Sequence, residues 1–200
     1  MSARSRVLPT ALSLDFRGRR PDRYVIDFSR NYFDLFGLAA SFRFDLAALD
    51  CAYRQLQSDV HPDRFAGDSD AAKRLAQQSS ARVNEAYVAL KDPVQRAQYL
   101  LRLHGIEAIS ETDTALPLAF LERQLERREQ AADAQAAGDI PGLTALLADA
   151  RAESAALEHM LGQLLDGEKA YAAARMQVRE LTFLAKLADD IDAMLAAIDS

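Results

Sequence analysis

One cysteine, Cys51, stands in the whole chain. No internal disulfide can form, and no zinc or iron–sulphur centre can be held by cysteines of this chain alone. Cys51 falls between core positions of a helical stretch, where a small inert residue is expected rather than a reactive thiol. The three histidines, His61, His104 and His159, are too scattered to suggest a metal site. Neither a metal ion nor a resident cofactor is expected. Tryptophan is absent and alanine and leucine dominate, a composition that favours helix. Half of the residues are apolar, enough for a proper core and too many for wholesale disorder. No apolar run approaches the ~20 residues of a membrane span. The first ten residues lack the continuous apolar region of a secretory signal. Arg4, Arg6, Arg17, Arg19 and Arg20 are interrupted by Asp15 and Asp22, against an organellar presequence. A cytoplasmic protein without membrane association is expected. A basic surplus is missing too: the net charge is −6 and the pI near 5.1, which argues against general nucleic-acid binding. That charge is split. Residues 1–104 carry 16 Lys and Arg against 12 Asp and Glu, and residues 105–200 carry 8 against 18. The two parts have nets of +4 and −10, which suggests two partner surfaces of different sign.

The stretch around which the chain is organised is Asp59-Val60-His61-Pro62-Asp63-Arg64. Before it, Leu46, Leu49, Tyr53, Leu56 and Val60 form one apolar helix stripe. After it, Ala72, Ala76, Ser79, Val83, Ala86 and Leu90 form a second stripe of smaller residues. Two such helices joined by a short polar loop read as an antiparallel pair packed stripe to stripe. Pro62 lacks an N–H and pushes His61 out of the helical region, so the first helix stops there. An imidazole and a carboxylate are then displayed on a stiff solvent-facing turn.

Residues 1–30 are rich in Arg, Ser and Pro, and a poorly ordered tail is expected, with Tyr24-Val25-Ile26 ordering locally against the rest. Asn31 caps a short helix that Gly37 ends, and Tyr32, Phe33, Leu35, Phe36, Leu38, Phe42 and Phe44 plug the helix pair. Asp45 caps the long helix before the loop. A further helix runs from Ser69 or Asp70 to Lys91, and Asp92-Pro93 opens another over about 94–103. His104-Gly105 ends that helix and starts a linker over 105–115. From 116 to 200 three amphipathic helices follow, broken at Gly138-Asp139 and at Asp166-Gly167. The first carries Leu118, Leu121, Leu125, Ala132 and Ala136. The second carries Leu143, Leu146, Leu147, Ala150, Leu157, Met160, Leu161 and Leu164. The third runs from Tyr171 to Ile198. The expected fold is all-α: a hairpin domain over 31–104, then an antiparallel three-helix bundle.

The loop and its surroundings resemble the J domain of DnaJ-like co-chaperones. His61-Pro62-Asp63 is that family's signature. Tyr32-Phe33-Asp34-Leu35-Phe36-Gly37-Leu38 looks like its opening segment, Tyr53-Arg54-Gln55-Leu56 precedes the loop at the usual distance, and the run from Val83 to Ala97 looks like its third helix and exit. The run from Arg96 to Gly105, then Phe120 to Glu126, and Leu181 to Leu187 are similar to the HscB family, J-type co-chaperones of iron–sulphur cluster assembly. The likeness spans about residues 31–200. It implies a protein that performs no chemistry. The J domain would stimulate the ATPase of a heat-shock-70-type chaperone specialised for cluster assembly, and the helical domain would deliver the cluster scaffold protein to it. Chaperone contact would fall to His61, Pro62, Asp63, Arg54 and Arg64, and scaffold contact to Leu121, Leu125, Glu126, Glu129 and Phe183. Two departures stand out. The usual basic run before the signature is here Arg54, then Gln55, Gln57, Ser58 and Asp59, leaving Arg54, Arg64 and Arg43 to supply the charge. Glu122 stands where some relatives have an apolar residue. The paired CxxC motifs of eukaryotic relatives are missing, which points to a bacterial protein.

Blander readings compete. Periodicity alone would place Leu121 and Leu125 inside the bundle, whereas the resemblance implies an exposed patch. Glu126 and Glu129 alone would read as solvated helix face, paired with Arg123 or Arg127. Asp63 would cap the loop or the next helix while facing a partner. His104 would contact the carbonyls of its own helix end. A J protein for a different client, or a non-catalytic helical adaptor, are the alternatives.

Overall fold

Each helix start in the hairpin unit is set by a side chain that satisfies an orphan backbone N–H. The computed structural model describes residues 26–109 and 115–198, so Tyr24, Val25 and the other residues before Ile26 lie outside it, as do 110–114. Asn31 accepts from the Asp34 N–H to start α1 (Tyr32–Leu35), and Gly37 closes it at φ 67°. Asp45 accepts from the Ala47 N–H at the start of α2 (Leu46–Val60), and Ser69 accepts from Ala72 at the start of α3 (Asp70–Lys91). Asp92 is extended, ending α3, and its carboxylate accepts from Gln95 to begin α4 (Pro93–Leu103).

Leu49, Leu56 and Val60 of α2 are buried with Ala76, Ser79, Val83, Ala86 and Leu90 of α3, while Phe33, Phe36 and Phe42 close one end. Leu46 departs from the expected stripe. As the first residue of α2 it is exposed, lining a cleft with Phe42, Phe44 and His159. Cys51 is exposed rather than packed. Ile26 belongs to the core, in line with the local ordering expected at the end of the tail.

Tyr32 joins α1 to α3 and α4. Its ring stacks on Tyr99 at 4.2 Å, its hydroxyl donates to Glu85 at 2.6 Å, and Arg82 donates to that hydroxyl at 3.1 Å. Burial and the Glu85 bond push the Tyr32 hydroxyl up to about 12, so it stays a donor. The Tyr32 hydroxyl, with Arg82, holds the Glu85 carboxyl below its usual value of 4.5. A carboxylate lowered in the folded state contributes stability above its ordinary value and loses it as pH falls through the folded one. Tyr32→Phe is therefore expected to lower the melting temperature at pH 7 and to cost less as pH drops below about 4.5. Paired thermal melts at the two pH values check this. An equal deficit at both would contradict the Glu85 linkage.

The second unit comprises α5 (Leu118–Ala137), α6 (Ile140–Gly162) and α7 (Tyr171–Ile198). Gly138 at φ 65° ends α5 and Asp139 caps α6 through the Gly142 N–H. Asp166-Gly167 does not simply break α6. The chain continues through a π turn over Gln163–Gly167 before α7 begins. On α6, Met160 is exposed, whereas Leu143, Leu147, Ala150, Leu157 and Leu161 are buried. No strand occurs among the described residues, and no helix there is long and apolar enough to cross a membrane.

The two units share a core. One cluster runs from Phe33, Leu90 and Leu101 to Phe120, Leu161, Val178 and Leu184, and a smaller one fills the far end around Leu143, Leu187 and Ile191. The described part of the expected linker is fastened to α7. Ala108 is buried, Arg175 donates to the Glu107 carbonyl at 2.8 Å, and Arg179 donates to the carbonyls of Ala108 and Ala115 at 2.5 and 3.0 Å.

Candidate functional site

The Asp59–Arg64 loop owes its shape to local contacts. α2 stops at Val60, His61 is extended (φ −59°, ψ 129°), and Pro62–Phe65 makes a single 3₁₀ turn. Phe65 is buried and anchors that turn. The His61 ring caps it: Nδ1 accepts from the Asp63 N–H at 3.3 Å and lies 3.6 Å from Asp63 Oδ2. With Nδ1 accepting, the proton of the neutral ring sits on Nε2. Asp63 thus does not take the capping part of its expected role. His61 caps the turn and Ser69 caps the next helix, leaving the Asp63 side chain 90% exposed.

The cations around the loop are unequally available. Arg54 is exposed on α2. Arg64 folds back over the end of α2, donating to the Ser58 carbonyl at 3.3 Å and pairing with Asp59 at 3.4 Å. Arg43 is not part of this face. Its Nη2 donates to the His159 carbonyl on α6 at 2.6 Å, which corrects the expectation that it adds to the loop's charge. No group of three or more His, Cys, Asp or Glu among the described residues is arranged to hold a metal.

A second feature lies on α5. Its inward face is Phe120, Gln124 and Ala131, with Arg127 half-buried beside them. The leucines stand about one residue off that face: Leu118, Leu121 and Leu125 are 70%, 40% and 60% exposed, and Ala132 and Ala136 are exposed with them. The helix therefore turns its most apolar side to solvent. Phe120 fills the core on the inward side, and on that side Arg123 and Arg127 reach Glu153 of α6 at 3.8 and 2.6 Å. Those arginines are consequently not the partners of Glu126 and Glu129, which are exposed beside Leu125, as is Glu122 beside Leu121. Phe183 of α7, 38% exposed, sets its ring edge-on to Phe120 at 6.4 Å, next to Leu121 in the chain. Burial raises the Glu180 carboxyl one turn before it, with Glu153 adding to the effect and Arg123 opposing it.

These are two separate surfaces, a polar loop on the first unit and a carboxylate-edged apolar patch on the second. Residues 31–99 match the DnaJ domain model, and residues 116–192 match the model described as the HSCB C-terminal oligomerisation domain. The co-chaperone protein HscB homolog of Burkholderia multivorans is 46% identical over 176 residues, covering 88% of this chain and all of that one. The chain belongs to the HscB co-chaperone family. Two solved HscB structures share its fold. Chaperone HscB from Vibrio cholerae is 36% identical with a TM-score of 0.73, covering 84% of this chain and 99% of that one. Human co-chaperone HscB is 29% identical with a TM-score of 0.78, covering 84% of each chain. This HscB-family chain is thus a co-chaperone with a J domain and an all-helical C-terminal HscB domain.

Sequence reasoning missed the residues that join the units. Asp166 accepts from the Phe42 and Arg43 N–H groups at 2.6 and 2.9 Å, across more than 120 residues. Within the first unit, Arg96 is buried beneath Phe42 and Phe44, its guanidinium 4.8 and 5.2 Å from their ring centres. The His104 ring stacks on Tyr171 at 3.5 Å, while only its backbone N–H bonds the Leu101 carbonyl. None of these carries a local signal.

Proposed function

We propose that this protein brings an iron–sulphur cluster scaffold protein to a heat-shock-70-type chaperone specialised for cluster assembly and stimulates that chaperone's ATPase. His61, Pro62 and Asp63, with Arg54 and Arg64 beside them, form the chaperone contact. Leu121, Leu125 and Phe183 form the apolar centre of the scaffold contact, and Glu126 and Glu129 its acidic rim. Membership of the HscB family supports the co-chaperone role. The observation that carries the two-sided reading is the exposure of Leu118, Leu121 and Leu125 on a helix whose inward face is already filled. An apolar centre edged by carboxylates suits a partner with a basic rim. The protein works by recognition and performs no catalysis of its own. Its place is the bacterial cytoplasm, in keeping with the bacterial source of the Burkholderia relative. Domain limits of 31–104 and 116–200, joined through 105–115, fit this division of labour.

Titration of the cluster scaffold protein into the full chain, followed by calorimetry and by backbone amide shifts, tests the assignment. Saturable binding with shifts centred on α5 and on α7 around Phe183, and none over Asp59–Arg64, is expected. No binding, or shifts centred on the loop, would contradict it.

A further inference from the structure

The sequence assigns the charge around the loop to Arg54, Arg64 and Arg43, and the structure leaves one of the three open. Arg64 is paired with Asp59 and Arg43 reaches α6, whereas the Arg54 side chain makes no hydrogen bond or ion pair among the described residues. That openness is not what α2 alone dictates. Asp50 stands four residues before Arg54, and an acid four residues ahead of a base is the favoured order for a pair on one helix face. The Asp50 carboxylate is drawn away instead. Its Oδ1 accepts from the Lys91 ammonium at 3.0 Å and from the Tyr87 hydroxyl at 2.9 Å, both on α3. Lys91 also donates to that hydroxyl at 2.6 Å, so the three groups close a triangle. The bonds from Lys91 and then Tyr87 hold the Asp50 carboxyl below its ordinary range.

Two further features fix the cation. Lys91 is the last residue of α3, where a positive charge meets the negative end of the helix. Its ammonium lies 5.0 Å from the centre of the Tyr87 ring. That ring is stacked on Tyr53 at 4.0 Å, and the Tyr53 hydroxyl donates to Asn84 at 3.0 Å. In this way α3 grips α2 on the turn that carries Arg54.

We propose that Lys91 is a positioning residue: by engaging Asp50 it keeps Arg54 free to meet an acidic surface of the chaperone. This rests on the chaperone contact assigned to Arg54 above and adds to it. The argument is one of competition between two cations for one carboxylate. With Lys91 in place, Asp50 has its counter-ion on α3, and Arg54 keeps its fork of donors for a partner. Without Lys91, Asp50 takes Arg54 as its counter-ion and the α2 face loses its open cation. The arrangement matters in this chain because Gln55, Gln57, Ser58 and Asp59 supply no other positive charge before the loop.

Lys91→Met, which keeps an apolar stem and removes the charge, tests this in the full chain. Titrated against the chaperone ATPase, it is expected to raise the half-maximal concentration about threefold and to leave the maximal rate unchanged. Asp50→Asn added to Lys91→Met is expected to restore the wild-type concentration. In an Arg54→Gln background Lys91→Met is expected to have no further effect, because no arginine is left to capture. The Arg54 Nε–Hε resonance reads the side chain directly: it is expected to shift in Lys91→Met and to return when Asp50→Asn is added. An unmoved resonance, or a wild-type half-maximal concentration in Lys91→Met, would overturn the positioning role. The same rise in the Arg54→Gln background would overturn it too, and would make Lys91 a chaperone contact in its own right. A wild-type half-maximal concentration in Arg54→Gln alone would instead overturn the contact assigned to Arg54, and with it the purpose of the Lys91 arrangement, even where the resonance moves.

Discussion

His61→Gln is expected to abolish stimulation of the chaperone ATPase while leaving the fold and scaffold binding in place. The ring is half-exposed and packs into no core, so its loss opens no cavity. What it does inside the protein is cap the Pro62–Phe65 turn through Nδ1, and losing such a cap costs about 1 kcal/mol. For a chain of this size that corresponds to a melting-temperature drop of roughly 2–4 °C. Its effect at a partner is larger. A central contact of a docking surface contributes about 2 kcal/mol or more, a loss of roughly thirtyfold in affinity. Glutamine also cannot reproduce an Nδ1 acceptor held at the ring's distance from Asp63, so the exposed carboxylate loses its fixed relation to its neighbour. Steady-state ATPase rates beside circular-dichroism melts separate the two effects. Full stimulation by the variant, or a large loss of helix, would contradict the role given to His61.

The alanine triple variant at Leu121, Leu125 and Phe183 should do the reverse. All three are exposed, so the folded state loses little buried area. Only Phe183 leaves an internal partner, its edge contact with Phe120, which is worth about 1 kcal/mol. At an interface each truncated apolar anchor costs about 1–2 kcal/mol, and three together lower affinity by roughly a hundredfold or more. Scaffold affinity by calorimetry should fall accordingly, with ATPase stimulation in the absence of scaffold unchanged. Unchanged affinity in a folded triple variant would remove the patch from the scaffold contact.

Much of this architecture was legible because its determinants are local. Asn31, Asp45, Ser69, Asp92 and Asp139 act as caps within three residues of the groups they satisfy, and Pro62 ends α2 by its own geometry. Periodicity read α7 well, since its apolar face packs on both neighbours. It misread α5. A stripe of leucines normally faces inward, but here Phe120, Gln124 and Ala131 take the inward face and Arg123 and Arg127 pair with Glu153, and nothing within α5 announces a partner on another helix. Likeness to the HscB family had implied the outward patch where periodicity had not. The joint was invisible for the same physical reason. Asp166 and Arg43 are far apart in sequence, and a carboxylate near a helix end reads equally well as a solvated turn.

The steady-state ATPase of the cluster-assembly chaperone, with this protein and with or without the cluster scaffold, tests the central claim most directly. Two-sided action requires stimulation by this protein alone and a further rise, well above either component, when the scaffold is added. Stimulation indifferent to the scaffold would move the client elsewhere, and no stimulation at all would contradict the chaperone contact assigned to the Asp59–Arg64 loop.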